Sequence, residues 1–109
     1  MKIFQDQELL FSNVTLADTF LRRFFGLMPR KKLNPSEGLL LIGCGRIHTN
    51  FMHFTIDAVY LSENFRVLDI ETVRPWRMGK RVKGAMHVLE VPENSARRLK
   101  TGELISTEE

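Results

Sequence analysis

The sequence predicts an α+β fold: a single compact domain with a mostly antiparallel sheet, curled or closed into a partial β-barrel, one N-terminal helix and one short C-terminal helix. Three observations carry this expectation. The runs "FTIDAVYL" and "FRVLDIETV" are rich in β-branched and aromatic residues and are joined by "SEN", the pattern of two strands linked by a tight hairpin. A further apolar run, "GLLLIG", is bounded by glycines and is short enough for a buried strand. Helical character falls outside these runs, in "TLADTFLRRFFGLM" before them and "ENSARRLK" after them.

Taken in order, Thr15 can cap the first helix with Asp18 three residues later as a short-armed partner, and Leu16, Phe20, Phe24 and Leu27 recur at helical spacing. Gly26 is placed to end it, and Arg22 and Arg23 suit the negative end of the helix dipole. "MPRKKLNPSEG" has the composition of a loop. After the "GLLLIG" strand, Gly43 and Gly45 around Cys44 predict irregular backbone. In the next strand Phe54, Ile56, Ala58 and Tyr60 share one face, while Thr55, Asp57, Val59 and Leu61 share the other. Asp57 therefore falls on a largely apolar face, where a carboxylate needs a partner.

"RPWRMGKRVKG", residues 74–84, holds five basic residues, one Trp and no acid, and its Pro and Gly content predicts a loop whose Trp folds onto the core. "AMHVLEV" returns to strand character, with Ala85, His87 and Leu89 facing one way and Met86, Val88 and Glu90 the other. "ENSARRLK" reads as a short helix capped by Asn94 or Ser95, with Gly102 past its end. "ELI" adds a last short strand before a frayed polar tail.

A chain of 109 residues holds one core, so residues 1–109 form one domain. The 43% hydrophobic and 27% charged content excludes disordered, collagen-like and repetitive classes. A net charge of +3 favours anionic partners without implying nucleic acid. With one Cys there is no internal disulfide, and "MKIFQDQELLF" lacks the uninterrupted apolar segment of a signal peptide. These features predict a cytoplasmic protein; its expected bacterial origin comes only from the family resemblance given below. No run approaches the length that crosses a bilayer, and no membrane partner is expected.

Five fragments in order, "RRFFGLMPRKKL", "EGLLL", "IHTNFMHFTIDAVYL", "VRPWR" and "AMHVLEVPENSARRLKTGEL", resemble the domain-of-unknown-function family 192 of bacteria and archaea. The likeness runs from about Thr15 to Ile105. Arg22 or Arg23 with Gly26, Leu27 and Met28 match one part of its pattern; Met52, Ile56 and Asp57 match another, and Leu89 with Glu90 a third. The Gly that commonly follows in the family is Glu93 or Asn94 here. The resemblance implies a compact, barrel-like α+β domain and brings no established reaction, cofactor or substrate.

The leading functional expectation is a non-catalytic binding or accessory domain for a small polar or anionic ligand, held by His48, Thr49, Met52, Asp57, Arg74 and Trp76. Such a pocket pairs apolar and aromatic walls with a few placed polar groups. No cofactor is expected. A rival reading is a hydrolase-type or metal-dependent enzyme: Cys44 with a histidine and Asp57 as a nucleophilic set, or Cys44, His48, His53 and His87 as ligands, although their spacing matches no zinc signature. A carboxylate pair of Asp57 with Asp69 or Glu90 is a weaker variant. A third reading uses Arg74, Arg77, Lys80, Arg81 and Lys83 around Trp76 as a nucleic-acid surface.

Overall fold

The computed structural model describes the backbone of residues 1–109 and every side chain except those of Phe20, Leu21 and Phe25. A sheet of five strands forms its centre. Its members are β3 (Asn13–Ala17), β4 (Glu37–Ile42), β5 (Ile56–Leu61), β6 (Val67–Val73) and β7 (His87–Pro92), in the spatial order β3-β4-β7-β5-β6. Only β3 and β4 run parallel; the other neighbours are antiparallel. A second sheet holds β1 (Lys2–Gln5) between β2 (Glu8–Phe11) and β8 (Ser106–Glu108). The fold is thus small and strand-rich, with two sheets and no closed barrel. Helix is confined to α1 (Phe20–Phe25) and a single 3-10 turn (Ser95–Arg98).

Alternation along the central strands feeds two separate cores. Leu40, Val59, Leu61, Leu89 and Val91 point into the first, which the small sheet closes with Ile3, Leu10 and Phe11. Leu39, Leu41, Ile56, Ala58, Tyr60 and Val88 point into the second, closed by Leu27 just past α1 and by Ile47 and Met52 from the loop between β4 and β5. The predicted faces of β5 are therefore both present and both buried. Sheet covers one side and loop the other, and a pocket can open only where the cover is loop.

Several expectations need correction. The first helix is shorter and later than the 3.6-residue pattern predicts: Asn13–Ala17 pairs with Glu37–Leu41 as a strand, and Thr19, not Thr15, caps the helix by accepting from the Arg22 N–H at 3.2 Å. Ladder bonding to β4 outweighs local helix preference there. Of the predicted stripe, Leu27 is core while Phe24 is half-exposed, and Phe20 lies outside the described side chains. Gly26, at φ 46°, does end the helix.

The N-terminal hairpin follows from "KIFQDQELLF", in which Asp6 and Gln7 take the positive φ of a two-residue turn. The tail is not frayed, since Ser106–Glu108 pairs with β1. "ENSARRLK" makes a 3-10 turn, and neither predicted cap serves it: Asn94 flanks it with no side-chain cap bond. The donor is met from afar, by Asp57.

Candidate functional site

The pocket lies on the loop-covered face of the central sheet and has a volume of about 220 Å³. Its floor is the middle of β7. Glu90 sits there between Leu39 of β4 and Ala58 of β5, and alternation turns it, with Val88, away from the first core. Leu27, Leu41, Ile47 and Met52 supply apolar walls, while Arg23, Arg46, Cys44 and His48 edge the opening.

Glu90 is 3% exposed, and no hydrogen bond or ion pair reaches its carboxyl among the described residues. Desolvation disfavours the charged form and pushes its pKa up to about 8. At neutral pH it is mainly a neutral acid, able to donate one hydrogen bond and accept others. Among the described residues no fully sealed side-chain polar atom lacks a partner, so this carboxyl keeps its access through the pocket.

The rim arginines are anchored through backbone oxygens. Arg23 Nη1 donates to the carbonyls of Asp18 and Ile42, at 3.1 and 3.0 Å, and Arg46 Nε donates to that of Gly79 at 2.9 Å. Each guanidinium has five donors, so both keep N–H groups for a ligand. His48 Nδ1 accepts from the Asn50 N–H at 3.2 Å, which leaves Nε2 to carry the proton of the neutral ring. The imidazole packs edge-on with Phe24, centroids 6.1 Å apart.

Beside this pocket runs a more open groove lined by Met28, Pro29, Phe51, Met52, His53 and Trp76; Met28 and Met52 border both. Phe51 and Trp76 are 61% and 56% exposed, with ring centroids 4.7 Å apart at an interplanar angle of 58°. Trp76 therefore does not fold onto the core. Both sit at positive φ, 66° and 63°, a region bulky side chains rarely occupy and which costs of order 1–3 kcal/mol each.

Thr49 holds the two loops in that shape. It is fully buried; its hydroxyl donates to the Arg74 carbonyl at 2.6 Å and accepts from the Arg77 N–H at 2.9 Å. Its backbone N–H donates to the Arg77 carbonyl, and its carbonyl accepts from the Trp76 N–H. Gly79 continues the clasp, because a Cβ there would meet the Tyr60 hydroxyl at 2.5 Å. That hydroxyl donates to Glu71 at 2.7 Å, and Glu71 also accepts from the Lys80 N–H. Lys80 Nζ pairs with Asp69 at 2.6 Å, which lowers the Asp69 pKa.

The six predicted site residues thus separate. His48 and Met52 line the pocket, and Trp76 lines the adjoining groove. Thr49 is a buried scaffold residue, and Arg74 is exposed with its carbonyl bound to Thr49. Asp57 shares the opposite face of β5 with Val59 and Leu61. There it accepts from the Thr72 hydroxyl at 2.8 Å and from the Ala96 N–H at 3.2 Å, the structural use of a carboxylate that burial demands; neither Arg22 nor Arg23 pairs with it. A triad of Cys44, His48 and Asp57 is not assembled across the sheet. Cys44 Sγ donates to the Arg46 carbonyl. His87 accepts from the Gly43 N–H and stacks on Phe65. Among the described residues no group of three or more His, Cys, Asp and Glu is placed to hold a metal.

Sequence reasoning missed Arg23 and Arg46 as pocket residues and weighed Glu90 only as a member of a carboxylate pair with Asp57, which lies on the other face of the sheet. Glu90 carried a signal, an acid amid the apolar run "AMHVLEV", the same signal that drew attention to Asp57.

Fold and pocket together define a small two-sheet domain with one acid-floored apolar pocket opening among its loops. The chain belongs to the DUF192 family, Uncharacterized ACR, whose model matches residues 1–106. It is 40% identical over 99 residues to UPF0127 protein TK1120 of Thermococcus kodakarensis, a match covering 85% of this chain and 63% of that protein. It is 37% identical over 93 residues to UPF0127 protein PYRAB11210 of Pyrococcus abyssi, covering 80% and 77%. The chain thus spans less than two thirds of the first relative's length, and these relatives are archaeal, so they do not carry the bacterial origin expected from sequence. A crystal structure of a protein of unknown function from Novosphingobium aromaticivorans superposes with a TM-score of 0.83 at 20% identity, covering 97% of this chain and 82% of that one. This likeness is one of fold. Among the described residues no helix is long and apolar enough to cross a membrane.

Proposed function

We propose that this domain binds, without catalysis, a small amphiphile that carries an anionic group. The observation that supports this reading most is Glu90, a buried carboxyl without a protein partner at the floor of an apolar pocket. A buried polar group ordinarily has a partner, and an oxygen of the ligand's anionic head, accepting from the neutral acid, would supply one. Arg23 and Arg46 at the rim favour an anionic end and oppose a cationic one, while the walls suit an apolar body. In this reading His48 and Met52 line the binding pocket, and Thr49 and Trp76 act around it.

Three probes with the same chain and different heads test the reading: octanoate, octanol and octylammonium, titrated into isotopically labelled protein and followed by amide NMR shifts. Octanoate is expected to move the amides of residues 43–52 and of β7, and Arg46→Gln to weaken it by about three- to tenfold. Octylammonium is expected to leave those amides unmoved. Octylammonium binding as well as octanoate, or no response to octanoate, would overturn the assignment.

A further inference from the structure

We propose that the face carrying Phe51, Trp76 and Met78 is a docking surface for an anionic lipid bilayer. The inference goes beyond the pocket reading and stands on different residues. These three side chains are 56–61% exposed, and they come from two loops that Thr49 ties together. Met78 bridges to His48 through the backbone, so the patch borders the pocket mouth. Exposed apolar side chains grouped this closely, rather than scattered, mark an interaction surface.

Their exposure is imposed by the fold. Phe51 and Trp76 hold positive φ within two loops that the partly buried hydrogen bonds of Thr49 tie together, so the backbone carries the rings outward. The charged side chains of the 74–84 loop itself are all positive, and of these Lys80 is paired with Asp69. Arg77 Nη1 bonds the carbonyl of Trp76 itself at 3.2 Å, Arg74 and Arg81 are exposed on the same loop, and residues 74–84 contain no acid. Aromatic side chains flanked by cations suit the headgroup region of an anionic bilayer. The absence of an expected membrane partner rested on spanning length, which peripheral docking does not need.

The ring geometry distinguishes this partner from single-stranded nucleic acid. Bases stack on open aromatic faces, whereas Trp76 and Phe51 tilt into one another at 58°, so each ring covers part of the other. Met78 adds apolar surface with no stacking role.

Trp76 is the chain's only tryptophan, so its emission reports directly. Vesicles of mixed phosphatidylglycerol and phosphatidylcholine are expected to shift it to the blue, and vesicles of phosphatidylcholine alone to do so far less. About 0.5 M salt should weaken binding severalfold by screening. Phe51→Asn, whose side chain tolerates positive φ, should raise the lipid needed for half-saturation about tenfold, with a urea midpoint no lower than the wild type's showing that it folds. Co-sedimentation of Trp76→Ser gives a second reading without the fluorophore and should show the same loss. Emission unmoved by either vesicle overturns the proposal. So does equal response to both, or quenching by a single-stranded oligonucleotide without a vesicle response, which would assign the patch to nucleic acid. Octanoate binding without vesicle binding would fail this inference alone; the reverse would fail the pocket reading alone.

Discussion

Asp57 and Glu90 are two acids set in apolar strands, and the fold uses them in opposite ways. Asp57 is satisfied by Thr72 and by the N–H of Ala96 at the start of the 3-10 turn; it caps that turn from another strand. Asp57→Ala strands that buried N–H, a loss of about 1–3 kcal/mol. A lowered urea midpoint with octanoate shifts unchanged is the expected result, because Asp57 lies on the face away from the pocket. An octanoate affinity that fell as well would return Asp57 to the site. Both acids were visible in the sequence as polar interruptions of apolar runs. Which of them would meet protein donors was not, because Ala96 is 39 residues from Asp57 and no local pattern links them.

At the level of elements, hairpins and strand faces were legible, since alternation and turn chemistry are properties of neighbouring residues. The β5–β6 hairpin and the opposed faces of β5 and β7 fall where the pattern places them. The segment 13–17 does not, because its strand state depends on pairing with β4 from beyond a long loop. The same holds for the tail and β1. The loops 48–52 and 74–79 are one unit through Thr49, and the sequence placed His48, Thr49, Met52 and Trp76 together without separating scaffold from surface. Thr49→Val keeps the volume and removes the hydroxyl, leaving the partly buried Arg77 N–H unmet. Expected are a stability loss of about 1–3 kcal/mol and faster amide hydrogen exchange at Arg77. An unchanged midpoint with Arg77 still protected would show that the backbone bonds alone hold the clasp.

For the molecule as a whole, Glu90 ties stability to pH. Its pKa is raised from an ordinary 4.5 to about 8, so between these values the unfolded chain releases a proton that the folded chain retains. Ionisation then favours unfolding, and stability falls as pH rises through that window. Glu90→Gln removes the effect. Compared by urea midpoints, the wild type should lose ground to this variant from about pH 5 to about pH 8, by up to roughly 4 kcal/mol. Parallel curves for the two proteins would mean that Glu90 ionises as freely in the folded state as in the unfolded one. An anionic ligand that hydrogen-bonds the neutral acid would bind best at the low end of the same window.

By itself the sequence determined a single strand-rich domain of this family, its principal hairpin, the two-faced pattern of its central strands and a polar, irregular stretch at 43–53. These are set by residue type and near-neighbour spacing. Only the tertiary structure decided that one face of the central sheet is closed by a second sheet and the other by loops. That choice makes Asp57 a buried cap and Glu90 the floor of a pocket, and it sends Trp76 outward. The physical reason is that burial and partnering of a side chain depend on what packs over it, and here that cover comes from residues distant in sequence.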